Sequence, residues 1–342
     1  MKRRLLPAVA AVAALALAAC GSAKTDTGEA PLDPNKLTVY SAQHKNLVDA
    51  WVKAFSAETG IEVQVRQGKD SSMGNQLVAE GDKTKADVFL TENSPAMTVV
   101  QNAKLLSPVE QSTLDQVDVA YRPSSGEWVG IAARSTVLIY NPSKISESEL
   151  PASMLDLADP KWKGKWGAAP NGADFQAIVS GVLQSEGEER TGAWLKGLKE
   201  NAKVYQNNIA TMKAVNAGEV PVGIMYHYYW YRDQALTKEG SRNTELHYFK
   251  GQDVGAFVSV SAGGVLKASK RQSDAQKFLA WVTGPKGQQV LATSKSMEYA
   301  VGTGVASDPA LPTLESLQAP SIDPFTLDGP KVITMMTDAG IL

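Results

Sequence analysis

LTVYSAQHKNLVDAWVKAFSAETGIEVQVRQG, residues 37–68, decides the fold. LTVYSA (37–42) is rich in β-branched and aromatic types and reads as a strand. NLVDAWVKAFSAETG (46–60) spaces Leu47, Ala50, Trp51, Ala54 and Phe55 along one helical face, and Gly60 ends the pattern. IEVQVRQG (61–68) alternates as a second strand. GNQLVAEGD (74–82) reads as another helix, and ADVFLTEN (86–93) as a third strand followed by a helical stretch. This β-α-β-α-β order predicts a parallel sheet covered by helices. GIAARSTVLIYNP (130–142) and VGAFVSVSAGGVL (254–266) are long β-rich runs with no helix inside them. Between them, LDLADPKWKGKWGAAP, GEERTGAWLKGLKENA, KVYQNNIATMKAVNAG and GEVPVGIMY supply a second set of alternating elements. A helix from Ser273 to Leu291 and a Pro-rich tail follow.

The amino end indicates a compartment. Lys2, Arg3 and Arg4 precede an apolar run from Leu5 to Ala19, which is short of the roughly 20 residues a membrane helix needs and reads as a signal peptide, residues 1–19. Leu17-Ala18-Ala19-Cys20 looks like a bacterial lipobox, with Cys20 acylated and becoming the first mature residue. Cys20 is the single cysteine of the chain, so a disulfide framework and a cysteine nucleophile are both excluded after processing. Residues 20–35 are small, polar and Pro/Gly-bearing, as in a lipidated tether. The expected location is extracytoplasmic, with the membrane reached through the lipid alone. The formal net charge is −2, and loss of the basic leader makes the body more acidic, which argues against nucleic acid. The 342 residues and 43% hydrophobic content suffice for two domains with separate cores.

YHYYWY (226–231) holds four of the ten tyrosines and follows the apolar run that ends at Met225. Consecutive strand side chains point to opposite faces, so Tyr228 and Tyr229 can converge only where the backbone turns into a loop or a helix. Trp230 and Tyr231 read as packing residues, whereas Tyr226 and His227 are open between packing and support. His247 has no site context and reads as structural.

The ordered stretches LTVYSAQHK, ADVFLTENS, ARSTVLIYNP, LADPKWKGKWG, GEVPVGIMYHYYWYR and GAFVSVSAGGVLK resemble the periplasmic ferric-ion-binding proteins from about Leu37 to Ala306. The resemblance implies a two-lobed α/β fold of the periplasmic-binding-protein type (type II-like), with two crossing hinge strands at the two long β-rich runs. The lobes expected are 36–133 plus 255–305 and 134–254 plus 306–342. It further implies a metal site of His44, Glu92, Tyr228 and Tyr229 for Fe(III). The chemistry agrees, because a small, highly charged ion prefers anionic oxygen, with imidazole acceptable.

Four such donors leave an ion that prefers six incompletely held. The family completes the shell with a synergistic anion such as phosphate or carbonate. Matching anion-binding positions are Asn93, Asn171, Gly172, Ala173 and Asn208, with Asn171 before a helix start suited to anions. The chain carries Tyr226 where many members have asparagine. Arg134 is either an anion contact or a hinge-strand salt-bridge residue. The resemblance implies no enzyme activity and delivery by a monomer to an ABC transporter permease. A same-fold receptor for an organic anion, a polyamine or thiamine is the alternative, since fold does not decide ligand. An aromatic cage for a cation would also use YHYYWY. An enzyme finds no support in the common nucleophile, zinc-protease, dinucleotide or phosphate-loop motifs, and a purely structural lipoprotein would not need polar residues at strand ends.

Overall fold

In the computed structural model, residues 31–342 are described; the leader, Cys20 and most of the tether lie outside the described residues. Strand β1 (Leu37–Ser41) is buried along its whole length, as a parallel strand covered on both faces should be. Helix α1 (Lys45–Thr59) turns Leu47, Val48, Trp51 and Phe55 inward and ends at Gly60, whose φ of 72° lets its N–H reach the Ser56 carbonyl. β2 (Val63–Gln67) and, after α2 (Asp70–Glu80), β3 (Val88–Leu90) pair with β1 in parallel on either side. α3 (Ser94–Asn102) and the single turn α4 (Gln111–Leu114) complete the first layer.

The thirteen residues of β4 (Trp128–Tyr140) are all buried. They are followed by β5 (Trp166–Ala168), α5 (Ala173–Asn201), β6 (Ala202–Val204), α6 (Asn208–Asn216), β7 (Val222–Tyr226), α7 (His227–Leu236), β8 (Glu245–His247) and β9 (Val258–Val265). The chain ends with α8 (Gln272–Thr283), α9 (Pro285–Thr293) and α10 (Gly329–Asp338). The strand order is β2-β1-β3-β9-β4-β7-β5-β6, with β8 on β4. β4 joins the two halves: Trp128 to Ser135 pair with β9, and Thr136 to Tyr140 pair with β7. The second return is made by Val254–Ala256 and Phe257, whose carbonyl accepts from the Thr136 N–H at 2.9 Å.

Each half has its own core. One gathers Leu37, Trp51, Phe55, Val129 and Phe278; the other gathers Leu138, Trp166, Phe175, Trp194 and Phe249. Full burial of each such side chain contributes roughly 1.5–3 kcal/mol. The tail serves both cores, since Leu311 and Leu317 pack in the first while Leu327, Val332 and Met336 pack in the second. The helix expected from Ser273 to Leu291 is two helices. The Pro285 ring bars Gly284 from helical geometry, and Gly284 adopts ψ 172°. The two helical stretches on either side of Gly187 run as one element, α5, broken there at φ 76°.

Candidate metal centre

His44 stands at the amino end of α1, where its carbonyl accepts from the Leu47 and Val48 N–H groups at 3.0 Å. Glu92 occupies the turn after β3. That turn is pinned because the Glu92 and Asn93 N–H groups both donate to the Asp70 carboxylate at 2.8 Å. Tyr228 and Tyr229 fall in the first turn of α7, since β7 stops at Tyr226 and the helix begins at His227. Successive helical residues diverge by only about 100°, so the two rings lie 4.2 Å apart where a strand would have separated them. His44 Nε2 lies 3.3 Å from Glu92 Oε1, and the Tyr228 hydroxyl donates to that same oxygen at 3.0 Å. All four residues expected as ligands therefore meet.

A fifth donor meets them. Asp174, in the first turn of α5, accepts from the hydroxyls of Tyr229 at 3.0 Å and Tyr228 at 3.2 Å. It also accepts from Asn208 Nδ2 at 2.8 Å and Asn93 Nδ2 at 3.0 Å. Two of the three asparagines expected to hold an added anion, Asn93 and Asn208, are thus engaged by an internal carboxylate. Of the rest of that loop, Asn171 is exposed, Gly172 caps α5 and Ala173 opens it. Sequence reasoning stopped one residue short of Asp174; the available signal was a lone acid at a helix start, where the dipole favours it.

The electrostatics favour a cation. Burial, and then the charge of Asp174, push the Glu92 carboxyl up to about 8. The same two causes hold Tyr226, Tyr228 and Tyr229 well above the ordinary phenol range. Without an added positive charge these groups keep their protons, and a multivalent cation among them would displace those protons. Among the described residues, no three histidine, cysteine, aspartate or glutamate side chains form a metal cage alone, so the donor set depends on the phenols.

Arg134 resolves as an ion pair. It is fully buried, its Nη2 sits 2.5 Å from Glu298 Oε2, and its guanidinium carbon lies 5.7 Å from the Tyr228 ring centre. Burial opposes its charge, but the Glu298 carboxylate beside it keeps it protonated. Glu298 carries no local sequence signal and was missed. Tyr226 donates to Asn93 Oδ1 at 3.4 Å and so backs the Asn93–Asp174 bond. His227 supports the crossing strand: its Nδ1 accepts from the Ser135 N–H at 3.2 Å, and its ring stacks on Tyr299 at 4.6 Å. Trp230 donates to Thr244 Oγ1 at 3.1 Å and Tyr231 meets the Tyr248 hydroxyl at 3.4 Å, both as packing residues. His247 packs edge-on to Phe249 on β8.

Residues 83–325 match the family described as bacterial extracellular solute-binding protein, and the chain belongs to that family. Within it the chain stands among the periplasmic ferric-ion-binding proteins. It is 56% identical over 306 residues, 90% of each chain, to the Fe(3+)-binding periplasmic protein of Serratia marcescens. It is 34% identical to the major ferric iron-binding protein of Neisseria meningitidis serogroup B, over 88% of this chain and 92% of that one. The crystal structure of iron-bound HitA from Pseudomonas aeruginosa superposes with a TM-score of 0.84 at 39% identity, over 89% of this chain and 99% of the other. The fold is accordingly the two-lobed one of these proteins.

Proposed function

We propose that this protein captures Fe(III) between its two lobes, through His44, Glu92, Asp174, Tyr228 and Tyr229, and delivers it to an ABC importer. The observation that carries the reading is the meeting of these five side chains from both lobes. Two carboxylates, two phenols and one imidazole suit a hard trivalent ion better than they suit an organic cation, whose cage would use ring faces rather than hydroxyls. With Asp174 in the set, the protein supplies five donors, and the sixth position falls to water rather than to phosphate or carbonate.

Hinge motion about β4 and Phe257 closes the lobes, which comprise 36–133 plus 255–305 and 134–254 plus 306–342, with Leu311 and Leu317 of the tail packing back on the first core. Cys20 anchors the protein, taken as a monomer, by its lipid on the outer side of the cell membrane. No chemical transformation is involved. The test is a ferric titration followed in the visible range. Phenolate-to-iron charge transfer should colour the wild type, each of Tyr228→Phe and Tyr229→Phe should shift or weaken the band, and the double change should abolish colour and tight binding. Tyr231→Phe should leave both nearly unaltered. A colourless wild type sinks the ferric reading and moves an organic-ligand receptor to first place.

A further inference from the structure

We propose that Glu298, held by Arg134, is the positioning residue that makes Nε2 the metal-binding nitrogen of His44 before any ion arrives. The consequence for iron rests on the ferric reading above; the geometry stands without it. His44 Nδ1 faces two acceptors, Gln43 Oε1 at 2.9 Å and Glu298 Oε1 at 3.1 Å. The Gln43 amide cannot turn round, because its nitrogen donates to Ser261 Oγ at 2.9 Å and to Glu298 Oε2 at 3.2 Å. Its oxygen also takes the His44 backbone N–H at 2.7 Å. In the neutral ring, the proton is therefore on Nδ1, and Nε2 keeps its lone pair facing the donor cluster. Free histidine prefers the opposite tautomer, so these partners reverse an intrinsic preference.

Glu298 is held in place by two partners, Gln43 Nε2, which donates to Oε2 at 3.2 Å, and the Arg134 guanidinium, whose Nη2 lies 2.5 Å from the same oxygen. Arg134 is the more telling partner. It is wholly buried, and among the described residues its Nε and Nη1 have no hydrogen-bond partner. A buried guanidinium satisfied through one nitrogen is costly, and stability alone does not favour it. What it secures is a charged acceptor behind the ligand histidine. An N–H bond to a carboxylate raises the basicity of the opposite ring nitrogen, and loss of such a partner typically costs 10–100-fold in metal affinity. The trio lies on the first-lobe side of the crossing: His44 follows β1, Arg134 stands at the lobe boundary in the part of β4 still paired with β9, and the Glu298 loop is tied to Ala133 through Tyr299. It is therefore built before closure, unlike the contacts of Tyr228 with Glu92 and of Asp174 with Asn93, which cross between lobes.

The experiment is nitrogen-15 imidazole spectroscopy of the metal-free protein at mildly alkaline pH, with His44→Gln assigning the signal among the three histidines. The expected wild-type result is a proton on Nδ1, shifted far downfield as in an N–H bond to a carboxylate. In Glu298→Gln, which keeps the shape and removes the charge, that proton should move upfield and ferric affinity should fall about tenfold. The double variant Arg134→Met, Glu298→Met removes both buried charges together and should lose up to about 100-fold, with the phenolate band retained. A wild-type proton on Nε2 overturns the proposal. So does ferric affinity unchanged in folded Glu298→Gln. If the wild type takes up no ferric iron, yet its downfield Nδ1 proton is lost in Glu298→Gln, the ferric reading fails and the positioning role stands.

Discussion

Asp174→Ala tests whether the protein's own carboxylate does the work expected of an added anion. The carboxylate accepts from Asn208, Asn93, Tyr228 and Tyr229, so its removal leaves a gap facing two amide donors and the amino end of α5. Alanine is a good helix former, so α5 itself should persist. Loss of a partner one bond removed from a metal costs 10–100-fold, so a direct anionic ligand should cost at least the upper end, about 100-fold or about 2.7 kcal/mol. The gap is also a site where a small anion is welcome. An anion present at about 100 times its dissociation constant contributes about 2.7 kcal/mol, enough to offset that loss. The assay is competition against a strong chelator, read from the charge-transfer band, with and without phosphate or bicarbonate. Wild-type affinity should not respond to the anion, and the variant's should recover with it. If the wild type needs the anion, or if the variant binds as tightly as the parent in anion-free buffer, Asp174 is not a ligand.

Three further expectations are checked by other means. Burial pushes the His227 ring down to about 3, whereas an unfolded histidine titrates near 6.5, so the unfolded chain gains its proton first. The associated stability is complete above about pH 6.5 and is lost as pH falls towards 3, at about 1.4 kcal/mol per unit. Denaturation of the metal-free protein at pH 7 and pH 5 should differ by about 2 kcal/mol on this account, and His227→Gln should remove that difference; an identical pH response in the variant contradicts the neutral buried ring. Lobe closure should appear as a smaller radius of gyration by small-angle scattering when ferric iron is added, and equal radii would rule hinge motion out. Cys20→Ala should move the protein from the membrane fraction to the soluble one; continued membrane association would exclude the lipid anchor.

Much of the architecture was legible because its causes are local. The face of α1 carrying Leu47, Trp51 and Phe55 follows from helical periodicity, and strand β1 from its β-branched and aromatic residues. The junction at Tyr226 could be read in the same way, because an apolar strand ends there and two adjacent phenols can converge only after a change of backbone. The break at Gly284 was missed although Pro285 announced it, since the apolar pattern continues across the interruption.

Asp174, Glu298 and Arg134 are a different case. A helix start explains an acid at position 174, but that this acid turns towards two tyrosines 54 and 55 residues further on follows from the seating of α5 against β7, the strand that leads into them. Glu298 lies 254 residues from His44 and 164 from Arg134, in a loop whose composition points to no partner. Sequence by itself determined the elements, the phenol pair and the residues at strand ends, because propensity and periodicity act over a few residues. Which carboxylates face them, which imidazole nitrogen stays free, and which charges are buried together were decided only by the tertiary structure, because packing in three dimensions removes water from groups far apart in the chain and forces each to find its partner there.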